Sequence, residues 1–222
     1  EANAVVNTDL SYVNMQSTQY ARFRNWVDQA VAGNPGYEFS ANDAVLMHRL
    51  TNQPQYCTLA VSMIESHVAA AEAAIAANQN PEVVHDSYLY AGAKIGDLAL
   101  TYDWCSAFVS NSQRTRWSAY AERTISNIWN PSQAQWAGRS APWTGWGTND
   151  PANNYYYSFL RATMYWGLAS NSSTWISFLQ TQKLPPLENY FAMLPGGGSE
   201  EGTGYGTSHH KLFELYRVWR DS

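Results

Sequence analysis

Cysteine is nearly missing from this chain: Cys57 and Cys105 are its 2 cysteines, and they lack CxxC spacing. Neither a zinc site nor a dithiol redox motif is encoded, and the two form one disulfide or stay as core thiols. Basic residues are also scarce. Lys and Arg number 13 against 18 acidic residues, a net charge of -5, and they are scattered. Clustered phosphate contacts are thereby excluded, and with them nucleic acid and anionic membranes as expected partners. No apolar run approaches the roughly 20 residues of a membrane span. The beginning of the chain lacks the basic start and apolar middle of a signal peptide. Strand and hairpin signals are absent too, as is any fixed-period repeat, which counts against the regular solenoid families.

What is present is apolar and aromatic. Over 222 residues, 45% are hydrophobic and only 14% charged, with 10 Trp and 15 Tyr. This composition fits one folded domain over 1–222, with more flat amphipathic side chains than a core requires. A carbohydrate groove would use the surplus. Apolar residues recurring at three and four predict helices at 16–32, 41–52, 55–77, 87–105, 111–129, 153–170, 173–182, 186–193 and 207–220. Ser40 and Ser110 stand where N-caps belong, and Asn52-Gln53-Pro54 breaks one helix from the next. The fold class expected is all-α, an array of antiparallel hairpins forming either an open superhelix or an α/α toroid around a cleft.

Residues 130–151, NPSQAQWAGRSAPWTGWGTNDP, interrupt the helical rhythm. A loop this long in a compact domain is commonly functional. Its Trp143, Trp146 and Arg139 are candidates for the rim of a cleft, beside the plainer reading that the tryptophans cover an apolar patch. The following helix carries Asn154, Ser158, Arg161 and Tyr165 on one polar stripe, with Asn153 and Tyr155 at its start. Such a stripe suits a carboxylate-bearing sugar; the alternative makes Asn153 or Asn154 a cap and Arg161 a solvated charge. His85 and Tyr90 stand near the start of the 87–105 helix, and Lys94 and Asp97, three apart, are placed to pair.

The stretch PGGGSEEGTGYGTSHH, 195–210, holds six glycines, Glu200, Glu201 and a single Tyr205, and runs into His209 and His210. Glycine permits backbone approaches that other side chains forbid, so the loop presents Tyr205. His209 and His210 fall in the first turn of the next helix, whose dipole disfavours the protonated imidazole.

NPANNYYYSFLRATMYWGLAS followed by GGGSEEGTGYG, with LALTYDWCSAFVSNSQRTRW upstream, resembles the α/α-toroid polysaccharide lyases of the heparinase and alginate-lyase type. The likeness spans roughly 85–220. It implies β-elimination on a 4-linked uronate polysaccharide (alginate, glucuronan or a glycosaminoglycan), without metal or other cofactor, by a secreted or periplasmic enzyme. Asn154, with Asn153, would bind the uronate carboxylate, Tyr205 would act as acid and base, and His209 or His210 would assist. Tyr155, Arg161, Arg139, Trp143, Trp146, Glu201, His85 and Tyr90 would contact the acidic polymer. Many members place a histidine directly after the asparagine, where this chain has Tyr155. The expected helices are also fewer than a closed toroid needs, so the chain reads as the N-terminal part of a longer protein. Two rivals compete. One is a toroid glycoside hydrolase using Glu201 with Asp150 or Asp103; the other is a non-catalytic helical-repeat binding or scaffold protein.

Overall fold

A computed structural model describes residues 6–7, 9–194 and 206–222, the side chain of Thr207 excepted. The expected glycine-rich loop, with Tyr205 and Glu201, lies outside the described residues. The helices are α1 (Thr18–Val31), α2 (Ala41–Thr51), α3 (Pro54–Ala76), α4 (Ala91–Trp104), α5 (Asn111–Trp129), α6 (Asn154–Ala169), α7 (Ser173–Phe178), α8 (Leu184–Met193) and α9 (Gly206–Asp221). The chain is all-α, as its periodicity indicates.

Local chemistry explains the boundaries. Asp43 accepts from the Ser40 amide and hydroxyl ahead of α2, and Ser110 and Gln113 form a reciprocal capping box on α5. Asn52 closes α2 in the left-handed conformation, and Pro54 opens α3, where a missing amide costs nothing. The exception is α4, expected from 87 but starting at Ala91. Residues Glu82–Tyr88 instead form a kinked 3-10 segment. The long loop holds a minimal antiparallel hairpin that the sequence did not announce, β1 (Gln135–Trp136) against β2 (Arg139–Ser140).

Alternate helices form two layers. The inner one contains α2, α4, α6 and α9, each packed on the next, while α1, α3 and α5 pack outside them. The inner helices run parallel. Gly92 meets Ser158 and, further along both helices, Tyr102 meets Trp166 at 5.2 Å. Likewise Leu46 and Leu100 share one groove, with the Arg49 guanidinium over the Trp104 ring at 5.1 Å further on. Helix–turn–helix alternation requires this, because each outer helix returns the chain to the same end. The starts of α2, α4, α6 and α9 are therefore gathered on one side.

Between the layers lies a continuous core that includes Trp117, Ile125, Leu98, Phe159 and Trp166. Cys57 of α3 and Cys105, just past α4, form a disulfide, which settles the alternative left open by their spacing. His67 of α3 meets the Tyr120 hydroxyl of α5 at 3.0 Å. Among the described residues α3 is by length and composition able to cross a membrane, which the sequence reading had not anticipated. Two of its carboxylates, Glu65 and Glu72, both pair with Arg116 of α5.

Candidate functional site at the start of the inner helices

The first turn of α6 is the best-organised part of this side. Asn153 is its N-cap, and its side-chain oxygen accepts from the Tyr155 amide at 3.0 Å. That assigns Asn153 the capping role and leaves Asn154 as the first helical residue. Gly147 of the long loop passes against this turn at φ +77°, where an added Cβ would stand 2.8 Å from the Tyr155 Cβ and 3.1 Å from Asn153 Oδ1. Only glycine satisfies both the angle and the approach. Asn154 lies one turn before Ser158 on the same side of α6. The Ser158 hydroxyl donates to the Leu89 carbonyl and accepts from the Gly92 amide at 2.8 Å. This double contact fixes the start of α4, with Tyr90 exposed beside it, against the start of α6.

The segment leading into α4 has an unusual backbone. Asp86, Ser87 and Tyr88 are successive non-glycine residues with φ of 47°, 52° and 64°. Such residues cost about 1–3 kcal/mol each and persist only where the surroundings over-determine them. Here the Tyr88 ring is buried against Trp143 at 5.1 Å, and Leu89 is tied to Ser158. The turn leaves His85 and Asp86 exposed and brings the Asp86 carboxylate to the Tyr155 hydroxyl, which donates to it at 2.7 Å. Sequence reasoning singled out His85 and Tyr90 but missed Asp86, because nothing in HDSY announces a left-handed run.

Other candidates stand apart from this turn. Trp143 is packed rather than open: its indole donates to the Asn127 carbonyl at 2.8 Å and its ring meets Phe159. Trp146 is 58% exposed. Arg139, on β2, donates to Asn80 at 2.7 Å. The covering role weighed for the loop tryptophans thus describes Trp143, and the exposed-rim role describes Trp146. Asp150 takes a turn position, accepting from the Ala152 amide at 3.0 Å. Asp103 lies near the far end of α4 and accepts from the Val6 amide at 2.7 Å. A cation not foreseen, Lys183, reaches the loop from behind and donates to the Thr148 carbonyl at 3.0 Å.

Arg161 and Tyr165 continue the stripe of Asn154 and Ser158 but face neighbouring helices. The Arg161 guanidinium donates to Glu214 of α9 at 2.8 Å and to the Gly92 carbonyl, and it lies 3.9 Å from Asp97 of α4. The Tyr165 hydroxyl donates to the same Glu214 at 2.6 Å. Arg161 and Asp97 expose only 13% and 14% of their side chains. Burial pushes the Asp97 carboxyl up to about 6, with Arg161 acting in the opposite sense. Burial opposes the Arg161 charge, but Glu214, Tyr165 and Asp97 outweigh it and hold the guanidinium protonated. This Arg161 is neither the solvated charge nor the open recognition group weighed from sequence. The expected Lys94–Asp97 pair is also replaced: Lys94 bonds Glu82 at 3.1 Å, and Asp97 turns to the inner seam.

His209 packs its ring on Phe191 at 5.6 Å. His210 is exposed, one turn before Glu214, in a groove of about 410 Å³ that also includes Asn42, Trp104 and Arg217. Among the described residues no group of three or more His, Cys, Asp or Glu is placed to hold a metal ion.

No protein-family model matches this chain, and neither a curated protein nor a solved structure does.

Proposed function

We infer that the chain is a polysaccharide lyase acting on a 4-linked uronate polymer, built on a layered helical array of the α/α-toroid type. The observation that carries this reading is the gathering of inner-helix starts on one side. Asn154 and Tyr155 open α6, with Asp86 and Tyr90 beside them; Tyr205, outside the described residues, enters the reading from the sequence alone. In β-elimination a donor must neutralise the uronate carboxylate so that the neighbouring C5 proton becomes acidic, and a proton must reach the departing oxygen. Asn154 fills the first role and Tyr205 the second. Trp146 and Tyr90, both largely exposed, supply stacking faces for sugar rings. The disulfide fits a secreted or periplasmic location.

The hydrolase rival is less well served. Asp103 already accepts from the Val6 amide near the end of α4, and Asp150 from the Ala152 amide in a turn, so both candidate partner carboxylates are engaged. The test is an ultraviolet assay over alginate, glucuronan and glycosaminoglycans, using the chain and its Tyr205→Phe variant. A lyase yields an unsaturated, absorbing sugar end that the variant fails to make while still binding polymer. Cleavage without absorbance would instead establish hydrolysis, and no cleavage of any polymer would leave a binding or scaffold protein.

A further inference from the structure

We propose that the groove lined by the four inner helices and by residues ahead of α1 is a binding site for a neutral sugar, with the Glu214 carboxylate accepting from its hydroxyls and Phe213 and Trp104 lying against its C–H faces. The site shares no residue with the first turn of α6, and it stands whether or not the chain carries out elimination.

The cavity is the first observation. It measures about 410 Å³, inside the range of about 300–1,000 Å³ usual for small-molecule sites, and each inner helix contributes to its lining. The residues ahead of α1 form its remaining wall. The Trp104 indole donates to the Val6 carbonyl at 2.6 Å, and Arg217 donates to the Asp9 carbonyl at 2.7 Å and the Tyr12 hydroxyl at 3.3 Å. These bonds tie that wall to both α4 and α9.

The second observation is a carboxylate held in place with one oxygen to spare. Glu214 accepts from Arg161 and Tyr165 on the same oxygen, Oε1, at 2.8 and 2.6 Å, while Oε2 bonds no described residue. Its side chain is 29% exposed and lines the groove. Burial opposes the charge of Glu214, but Arg161 and Tyr165 outweigh it and hold the carboxyl below its usual range, an ionised acceptor. Because two bonds already fix it, little freedom is lost when a hydroxyl arrives.

The aromatic lining and the charges then select the ligand. Phe213 and Tyr12 are 68% and 65% exposed, so the fold gains little from burying them, whereas the apolar face of a sugar ring would cover them. Arg161 and Arg217 disfavour a cation beside Glu214, and Glu214 disfavours an anion. What fits is a neutral molecule with hydroxyls for Oε2, further polar groups for the Asn42 amide and the His210 imidazole, and a flat C–H face for the rings. A pyranose has all three.

Isothermal titration calorimetry of the chain with cellotetraose, mannotetraose and xylotetraose, run beside an alginate tetrasaccharide, tests the site. At least one neutral sugar should bind saturably. Phe213→Ala should weaken that binding about three- to tenfold, the worth of one stacked ring. Glu214→Gln should weaken it about tenfold or more, as for loss of a hydrogen bond to a charged group. Melting curves confirm folding, and the largely exposed Phe213 carries the test if Glu214→Gln does not fold. Failure of all three neutral sugars to bind would overturn the proposal, and so would binding unaltered in both folded variants. Alginate binding that Phe213→Ala weakens, with no neutral sugar bound, would replace it with an anion site. Absence of unsaturated product in the ultraviolet assay, by contrast, would sink the lyase reading and leave this site standing.

Discussion

The first turn of α6 and its middle are made of similar polar residues and lie on one continuous stripe, yet they serve opposite ends. At the start, Asn154 and Tyr155 are half-buried beside loops, and Tyr155 bonds an exposed carboxylate. Two and three turns on, Arg161 and Tyr165 are enclosed by α4 and α9 and spend their polar atoms on Glu214, Asp97 and the Gly92 carbonyl. A polar stripe on an inner helix is thus a seam wherever a neighbouring helix covers it and meets loops only where the neighbours end. Depth along the helix, rather than residue type, separates the two.

On the lyase reading proposed above, the middle carries stability and the start carries turnover. The largest stability loss is expected for Arg161→Met, which leaves Asp97 and Glu214 facing each other without their cation. Removing one partner from a buried ion pair costs about 3–5 kcal/mol, read from the urea midpoint. A loss below about 1 kcal/mol would mean that the seam is not the lock described. Next is the covalent tie between the layers. The disulfide spans 48 residues, and the double variant Cys57→Ser/Cys105→Ser should lose about 4 kcal/mol by loop entropy, less if the reduced chain keeps structure.

A third probe is pH. Burial, and after it the Lys94 charge, pushes the His67 imidazole down to about 4, against the opposing pull of Glu82. Between that value and the ordinary 6.5 of an unfolded histidine, the unfolded chain binds more protons than the native one. The contribution of neutral His67 is therefore complete above this window and drains away as pH falls through it. Asp97, raised to about 6, acts in the opposite direction, so the effect must be read by difference. Relative to His67→Gln, wild-type stability should shrink by about 2 kcal/mol between pH 7 and pH 4.5 in urea titrations. The smallest effect belongs to the start of α6. Tyr155→Phe should cost no more than about 1 kcal/mol in stability, the worth of one hydrogen bond, whatever it does to turnover.

The helices were legible in the sequence because local signals agree. Ser40 with Asp43, Ser110 with Gln113, and Asn52 with Pro54 each announce a boundary within a few residues. What stayed hidden depends on distant partners. Arg161 finds Glu214 53 residues away, and no periodicity records that distance. Lys94 chose Glu82 over Asp97 because Asp97 faces the seam, a fact of layer geometry. The Asp86–Tyr88 turn lacks the glycine that would have flagged it. The β1–β2 hairpin turns through Ala137 and Gly138, both at positive φ, between strands too short to show alternation.

The order in which contacts become available along the chain gives the Cys57–Cys105 bond a further meaning during synthesis. Its two sulfurs are present once the chain has grown to the end of α4, whereas Gly92 must wait for Ser158, 66 residues beyond it. A nascent chain emerging N-terminus first thus has its α3–α4 hairpin ready for oxidation while the α4 surface destined for α6 is still bare. The bond sets a ratchet: whatever holds that bare surface in the interval, the hairpin beneath it no longer comes apart.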